Sequence, residues 1–332
     1  MLEATDFLLV NPWQRGFPLT PRPFDEVARK AGLDEEETIS RLVRLQQQGV
    51  IDRVGPVFRP NTVGASLLAA MAVPSERLAT VAAFVSAQPG VNHNYEREHR
   101  YNLWFVVTAA KQAEVRRTLS CIEQACGLEA LRLPLLDEFH VDLGFDLDTR
   151  AAPRASAPRL FPELSPKERK LVAAVAAGLP LVPAPYERVA REMGATQAEV
   201  ISLLARMLGD GRIRRIGAVV RHRRLGYEAN AMVVWDVPDE RVAALGGELA
   251  ADPAVTLCYR RARSLPDWSY NLYCMVHGQR RGGVLYDVKR ITSLYAAPFP
   301  RAVLFSKRCF AQRAATYEIG RASCRERVLD HV

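Results

Sequence analysis

The sequence predicts an α+β chain built as a tandem repeat, in which a winged helix-turn-helix and a ferredoxin-like domain each occur twice. Three observations support this prediction: an internal duplication, two helical segments joined by a glycine in each copy, and a βαββαβ order of segments after them. Residues 16–64 align without a gap to residues 178–226, and 21 of these 49 positions are identical. Such identity indicates a duplication rather than chance.

The first part of each copy has the pattern of a helix-turn-helix. A proline-rich stretch precedes a short helix, a glycine (Gly32 or Gly194) and a second helix. The runs V-I-D-R-V-G-P-V-F-R and R-I-R-R-I-G-A-V-V-R follow, and each predicts a hairpin wing. We therefore predict winged helix-turn-helix domains over residues 1–64 and 164–226.

The second part of each copy alternates strand-like and helical segments in the order βαββαβ, which is typical of ferredoxin-like domains. These domains are predicted over residues 65–150, as the catalytic domain, and 227–320. Residues 151–163 are rich in proline, alanine and basic residues and predict a linker. Residues 321–332 continue no pattern of the first copy and predict a tail. The duplication also predicts that the two copies form an internal pseudo-dimer, with a further homo-oligomer left open.

Composition narrows the class of protein. The 332 residues are 48% hydrophobic and 25% charged, as in ordinary globular proteins, and no uncharged apolar stretch is long enough to span a bilayer. The start lacks the pattern of a signal peptide, so a cytoplasmic protein without membrane association is expected. The six cysteines form no C-x-x-C pair, so no metal site of the protein's own is predicted. A formal net charge of +8 favours an anionic partner, either nucleic acid or a polyacidic small molecule.

The charge of the second helix argues against DNA as that partner. In the first copy it opens with four carboxylates, Asp34 to Glu37, where a DNA reader would need cations. Its counterpart in the second copy offers only Arg206. No specific binding of nucleic acid is therefore expected. The arginines of the wings are the counter-argument, although they also fit a solvated face: Arg53, Arg59, Arg212, Arg214, Arg215, Arg221, Arg223 and Arg224.

Segment 92–104 of the first copy has the highest density of side chains that can take part in catalysis or ligand binding. His93 and His99 are the candidate catalytic residues, because imidazoles exchange protons near neutral pH and can ligate iron. On a continuous strand the two would share a face, since side chains alternate with a period of two. The candidate substrate-binding residues are arginines suited to carboxylates and aromatic residues suited to a flat ligand: Tyr95, Arg97, Arg100 and Trp104. A polar surface hairpin is the alternative interpretation.

The matching segment of the second copy, residues 257–273, carries different chemistry. Leu257 stands where the first copy has His93, while arginines and aromatic residues remain. This indicates a carboxylate-binding or degenerate site, and the candidate substrate-binding residues are Tyr259, Arg260, Arg261 and Trp268. His277 fits either a core position or the lining of a pocket. No phosphate-binding loop, dinucleotide fingerprint or nucleophile elbow occurs, so any catalysis must use histidine and arginine.

Four motifs resemble those of the siroheme decarboxylases: N-P-W-Q-R-G-F-P-L-T-P-R-P-F, G-V-I-D-R-V-G-P-V-F and Y-E-R-E-H-R-Y-N-L-W-F in the first copy, and P-D-W-S-Y-N-L-Y-C-M-V-H-G in the second. That family descends from Lrp/AsnC-type regulators and works as paired unlike subunits. The resemblance covers nearly the whole chain and corresponds to the fused D–L type associated with d1-haem synthesis.

The resemblance implies an enzyme that removes the acetate carboxyl groups at C12 and C18 of siroheme to give 12,18-didecarboxysiroheme. It implies siroheme as the partner and no cofactor beyond this iron tetrapyrrole substrate, whose iron His93 or His99 could ligate. Both histidines match active-site positions of the family's first-type subunit. The second-type subunit often has a histidine at the position of Leu257, so this chain departs from the pattern there. An Lrp-like transcriptional regulator and a non-catalytic haem sensor or carrier are the alternatives.

Overall fold

The computed structural model describes residues 2–141, 144, 161–315 and 317. They form two compact units, each combining matching parts of both copies. The first unit holds the described residues up to 63, Gly144 and those from 161 to 226, and the second holds 64–141 and those from 227 onward. Most of the predicted linker at 151–163 and all of the predicted tail at 321–332 lie outside the described residues.

The helices and strands alternate as follows. The first copy contains α1 (Ala4–Val10), a 3-10 turn (Pro12–Gln14), α2 (Pro23–Ala31), α3 (Glu35–Gln47), β1 (Ile51–Phe58), β2 (Ala65–Met71), α4 (Leu78–Ala87), β3 (Val91–Arg97), β4 (Leu103–Ala109), α5 (Gln112–Cys126), β5 (Ala130–Leu133) and β6 (Leu135–Val141). The second copy contains α6 (Pro166–Val175), α7 (Pro185–Met193), α8 (Gln197–Gly209), β7 (Ile213–Val220), a 3-10 turn (His222–Leu225), β8 (Ala229–Trp235), α9 (Asp239–Ala251), β9 (Val255–Arg261), β10 (Leu272–Gly278), α10 (Arg281–Ile291), a π-helical turn (Thr292–Ala296) and β11 (Arg301–Gln312).

The predicted helix-turn-helix is confirmed in both copies of the first unit. Gly32 ends α2 with a φ of +70°, and Gly194 ends α7 with a φ of +65°. This left-handed conformation suits glycine and lets the chain turn into the second helix. Asp34 caps α3 by accepting a hydrogen bond of 2.7 Å from the backbone N–H of Glu37. Its acidic first turn is therefore also a capping arrangement.

The prediction of a hairpin wing within each copy is wrong. Each segment forms a single strand, and β1 pairs antiparallel with β7 of the other copy, with Gly55 opposite Gly217. Neither glycine has the positive φ that a tight hairpin turn requires. Glycine is needed because neighbouring backbone comes close: a Cβ on Gly55 would lie 3.1 Å from Cα of Gly178, and one on Gly217 would overlap the Trp13 carbonyl oxygen.

Of the eight arginines predicted to lie in the wings, three are buried and Arg224 is exposed. Arg59, Arg212 and Arg215 are 8%, 4% and 4% exposed. Arg212 forms ion pairs of 2.9 Å with Glu168 and 2.6 Å with Asp210. Burial makes the charge of these three arginines unavailable to a polyanion, which weakens the argument for DNA binding.

The second unit contains, within the described residues, one sheet of nine strands in the order β5-β2-β4-β3-β11-β8-β10-β9-β6. The predicted βαββαβ order is confirmed in both copies, and so is their internal pairing. The last strand of each copy continues into the other copy: β11 pairs with β8 and then with β3, while β6 follows β5 and pairs with β9.

The two faces of this sheet have different partners. On the outer face, α4 and α5 cover the first copy and α9 and α10 cover the second. Side chains of both copies meet on the opposite face, which we call the inner face, and their cluster is the inner core. Its buried members include Leu68, Ala70, Trp104, Leu133, Met232, Val234, Tyr259, Trp268, Tyr273, Met275 and Leu304.

Candidate active site

Three side chains of β3 form a line on the inner face. His93 and Tyr95 stand opposite Val106 and Trp104 of β4, which pack in the inner core. The rings of His93 and Tyr95 stack with their centroids 6.3 Å apart. The guanidinium carbon of Arg97 lies 5.8 Å from the centroid of the Tyr95 ring. We call His93, Tyr95 and Arg97 the β3 stripe.

The intervening residues of β3 contact the outer face, as the period of two requires. Asn94 donates a hydrogen bond of 3.1 Å to the carbonyl oxygen of Ala82 in α4. Glu96 forms an ion pair of 2.5 Å with Arg308. Only alternate residues of the polar segment therefore belong to the inner face.

Arg97 reaches from the first copy into the second. Its side chain is buried, and Nη1 donates a hydrogen bond of 3.1 Å to the carbonyl oxygen of Leu304. Nη2 lies 3.9 Å from the sulfur of Met275. Arg261 repeats the first of these contacts, because its Nη1 donates a hydrogen bond of 2.7 Å to the carbonyl oxygen of Leu133. The two arginines are therefore related by the internal pseudo-symmetry.

The second copy carries a matching line on β9, formed by Leu257, Tyr259 and Arg261, which we call the β9 stripe. The guanidinium of Arg261 lies 4.7 Å from the Tyr259 ring centroid, and this ring stacks on Tyr273 at 5.6 Å. The partly buried Leu257 packs against the inner core. The two stripes thus share a tyrosine and an arginine, and the β3 stripe has an imidazole where the β9 stripe has Leu257.

Arg260 is predicted to bind substrate together with Arg261, but it does not lie on the inner face. As a neighbour of Tyr259 on the same strand, it contacts the outer face, where it forms ion pairs of 3.3 Å with Asp137 and 2.9 Å with Asp239. Strand alternation separates it from Arg261, so the two consecutive arginines do not act on one ligand at the inner face.

A row of polar residues crosses the strands beside the β3 stripe. Ser306 of β11 is the strand partner of Arg97, and its hydroxyl lies 2.5 Å from Oδ1 of Asn230 in β8. Asn230 stands opposite His277 of β10, whose Nδ1 lies 2.7 Å from the hydroxyl of Thr256. The polar row consists of five residues: Arg97, Ser306, Asn230, His277 and Thr256. Of these, only Arg97 and His277 could be singled out from the sequence, because single polar residues in apolar strands carry little signal without the strand register.

His99 does not share a strand with His93. The strand β3 ends at Arg97, and His99 follows in the loop to β4, so the two histidines do not lie on the continuous strand on which they would have shared a face. Its Nδ1 accepts a hydrogen bond of 3.1 Å from the backbone N–H of Tyr101, and its ring meets Trp268 edge-on at 5.3 Å. Burial, and secondarily the positive charge of Arg100, lower the pKa of His99 below its ordinary range.

The two tryptophans predicted to stack on a ligand are core residues. Trp104 is 2% exposed and Trp268 is 1% exposed, and their rings meet at 5.2 Å. The Nε1 of Trp104 donates to the carbonyl oxygen of Tyr101, and that of Trp268 donates to the hydroxyl of Tyr273, both over 2.7 Å. Neither indole presents a face to solvent in this arrangement, so both stabilise the wall of the site.

Arg100 lies at the surface. Its side chain is 73% exposed and approaches Asp267 at 3.9 Å. Its guanidinium carbon lies 5.3 Å from the Tyr101 ring centroid. The structure thus brings together His93, Tyr95 and Arg97, and separates them from Arg100 and Arg260.

The described residues contain neither a metal-binding cluster nor a membrane-spanning helix. Among residues 2–141 and 161–315, no three histidine, cysteine or acidic side chains are grouped so that they could hold a metal ion. Across the part of the chain that the structure describes, no helix has the length and apolar character needed to cross a bilayer.

Comparison with known proteins supplies the family. A model of the AsnC-like ligand binding domain matches residues 63–140 and 224–311, and a model of the siroheme decarboxylase NirDL-like HTH domain matches residues 6–51 and 168–214. The siroheme decarboxylase NirDL subunit of Paracoccus denitrificans is 44% identical over 321 residues, which cover 95% of this chain and 98% of that protein. The chain belongs to the siroheme decarboxylase family.

Two solved structures agree with this membership. A crystal structure of siroheme decarboxylase NirDL is 26% identical, with a TM-score of 0.68 and 94% coverage of both chains. A second, in complex with an iron-uroporphyrin III analogue, is 27% identical, with a TM-score of 0.66 and coverage of 94% of this chain and 93% of that one. The resemblance to siroheme decarboxylases is therefore confirmed, and the chain is an enzyme of the carboxy-lyase class.

Proposed function

We propose that this chain decarboxylates siroheme at the C12 and C18 acetate groups, with His93 as the proton donor. The observation that carries the proposal is the β3 stripe, which places an imidazole, a phenol and a guanidinium on one face of one strand. The relatives named siroheme decarboxylases and the solved complex with an iron-uroporphyrin analogue support the substrate class.

The chemistry requires little beyond a proton donor and a site for carboxylates. When the bond between the methylene carbon and the carboxylate breaks, CO2 leaves and the electron pair stays on the methylene carbon. The tetrapyrrole delocalises this charge, and one proton converts the methylene to a methyl group. A protonated imidazole at His93 would supply that proton. Each acetate therefore consumes one proton and releases one CO2.

The two stripes suggest unequal contributions from the two copies. Tyr95 and Tyr259, with Arg97 and Arg261, offer each copy a ring and a cation for a flat, polyacidic ligand. The β9 stripe has Leu257 in place of His93, so it has no side chain for proton transfer at that position. We therefore assign proton transfer to the first copy and ligand contacts to both.

His99 has a different role in this proposal. Its contacts with Tyr101 and Trp268 hold the loop after β3, and its lowered pKa favours the neutral ring. A neutral imidazole can accept a proton or ligate iron but is a weaker donor than the imidazolium. We infer that His99 positions the wall of the site.

The test is anaerobic incubation of the full chain with siroheme in D2O, followed by mass spectrometry of the tetrapyrrole. The proposal expects the loss of two CO2 molecules and the gain of one deuteron in each new methyl group. Fragment masses should place both changes at C12 and C18. A His93→Ala variant that still binds siroheme is the matched control. An unchanged substrate mass despite tight binding would instead support a haem carrier, and changes at other side chains would refute the assignment of C12 and C18.

A further inference from the structure

The second unit contains two equivalent junctions between the copies. At one, β11 of the second copy pairs with β3, and at the other, β6 of the first copy pairs with β9. Both junctions have the same register, including irregularities at the same positions. The matching pairs are Arg97 with Ser306 and Arg261 with Leu135, Glu96 with Arg308 and Arg260 with Asp137, and Tyr95 with Cys309 and Tyr259 with Glu138.

An ion pair occupies the same place in both junctions, with its charges exchanged. At the β3 junction, the first copy provides the buried Glu96, and Nε of Arg308 from the second copy lies 2.5 Å away. At the β9 junction, the second copy provides the cation Arg260, and the carboxylate of Asp137 from the first copy lies 3.3 Å away. In both pairs the first copy is the acid and the second copy is the base.

We propose that this exchange of charges selects pairing between unlike copies and excludes pairing between like copies of two chains. If two first copies paired through the same register, Glu96 of one chain would face Asp137 of the other. If two second copies paired, Arg260 would face Arg308. Each like pairing would thus place two equal charges at both of its junctions, whereas the unlike pairing places opposite charges at both.

Burial makes this discrimination effective. One member of each pair is largely buried, with Glu96 8% and Arg260 25% exposed, while Arg308 and Asp137 are 57% and 43% exposed. Water and salt therefore screen these pairs less than they screen a pair of two exposed side chains. A second cation, Lys307, lies 3.4 Å from Glu96, and a second carboxylate, Asp239, lies 2.9 Å from Arg260. Lys307 belongs to the second copy and adds to the preference of Glu96 for that copy, whereas Asp239 belongs to the same copy as Arg260 and lies beside it in either pairing. Repulsive contacts against the wrong partner are a general means of achieving specificity.

The need for such a device follows from the duplication. Both copies have the same strand order and the same edge strand, so backbone hydrogen bonds alone would pair like and unlike copies equally well. Pairing between chains would then compete with pairing within one chain and produce open-ended assemblies. The inference concerns assembly only and stands whether or not the proposed reaction is correct.

The test uses full-length variants with reversed charges. In E96R/R260E both unlike junctions hold equal charges, and both like pairings become complementary. We expect a lower Tm than the parent and a larger species by sedimentation, whose fraction rises with protein concentration. In the fourfold variant E96R/R308E/D137R/R260E the unlike junctions are complementary again, and we expect the parent's mass and a Tm close to the parent's.

A single junction gives an independent measurement. E96R alone should lower Tm, and E96R/R308E should recover at least half of the loss, because it restores opposite charges at the β3 junction. E96Q/R260Q removes both charges without creating like-pair attraction, so it should form less of the large species than E96R/R260E does. The proposal is overturned if E96R/R260E keeps the parent's mass at every concentration, or if E96R/R308E is no more stable than E96R.

Discussion

The guanidinium of Arg97 donates a hydrogen bond of 3.1 Å to the carbonyl oxygen of Leu304, so a buried side chain of the first copy holds the last strand of the second. The pseudo-symmetric contact joins Arg261 to the carbonyl oxygen of Leu133 over 2.7 Å. Both carbonyls lie where the chain passes from the sheet of its own copy to that of the other. A residue type first predicted as a carboxylate anchor therefore also stabilises the crossing.

This contact predicts a stability effect of Arg97→Ala. Removing a buried charged donor should lower the free energy of unfolding by about 1.5–3 kcal/mol, because the Leu304 carbonyl loses a charge-assisted hydrogen bond. Arg261→Ala should act in the same direction. Arg100→Ala is the control, and its effect should be within about 0.5 kcal/mol because that side chain is exposed. Urea unfolding measures all three, and equal stability of the Arg97 and Arg100 variants would contradict the assignment.

His93→Ala should abolish turnover while siroheme still binds. Loss of a proton donor costs about 100- to 10,000-fold in the rate of the chemical step. Single-turnover kinetics with a parallel binding titration separate the two effects. Leu257→Ala changes the equivalent position of the β9 stripe. Because leucine has no proton to donate, this variant should alter the single-turnover rate only through a change in packing. Near-normal single-turnover rates in His93→Ala would move the proton donor elsewhere, with His277 of the polar row as the next residue to test.

His99 predicts a pH dependence of stability. Its folded pKa is lowered by burial and then by Arg100, so below about pH 6.5 the unfolded chain binds a proton that the folded chain does not. The free energy of unfolding should therefore fall as pH decreases below that value. His99→Phe keeps a ring against Trp268 and should make this fall shallower. Urea unfolding between pH 5 and 8 compares the two proteins, and identical slopes would refute the prediction. His222, whose pKa burial lowers to about 4, is present in both proteins and cancels in the comparison.

Gly217→Ala should destabilise the first unit. A Cβ there would overlap the backbone of Trp13 and Gln14, and such overpacking typically costs about 1–3 kcal/mol. Gly247→Ala is the matched control, because Gly247 lies in α9 with nothing within 4 Å of the added Cβ. That change should stabilise the protein by about 0.5–1 kcal/mol through helix propensity. Thermal unfolding distinguishes the two, and a neutral Gly217→Ala would show that the 3-10 turn at Trp13 and Gln14 can move away from β7.

Local patterns were sufficient to predict the repeat, the helix-turn-helix and the βαββαβ order, since each depends on residues that are close in the chain. They failed at β1 and β7, where each strand finds its partner in the other copy. Gly55 and Gly217 look like turn residues in the sequence, but they are required by the backbone packed against them. Nothing in either copy alone contains that information.

In the candidate site, too, the sequence predicts what depends on nearby residues and misses what depends on the other copy. Strand alternation around Tyr95 separates His93 and Arg97 from Glu96, so the period of two identifies the stripe once the strand is known. It does not reveal that the strand stops before His99, or that the aromatic Trp268 is buried in the inner core. The polar row depends on the register of five strands from both copies, which no single segment specifies.

The long strand β11 has a consequence for how the protein is made. The edge of β3 is covered by residues 306–312, roughly 200 positions later in the chain. At a translation rate of about 5–20 residues per second, the β3 edge stays unpaired for roughly 10–40 s until β11 has been synthesised. During this interval the nascent first copy exposes a polar edge carrying the Glu96 carboxylate and His93. Such groups disfavour the edge-to-edge aggregation that an apolar strand would invite.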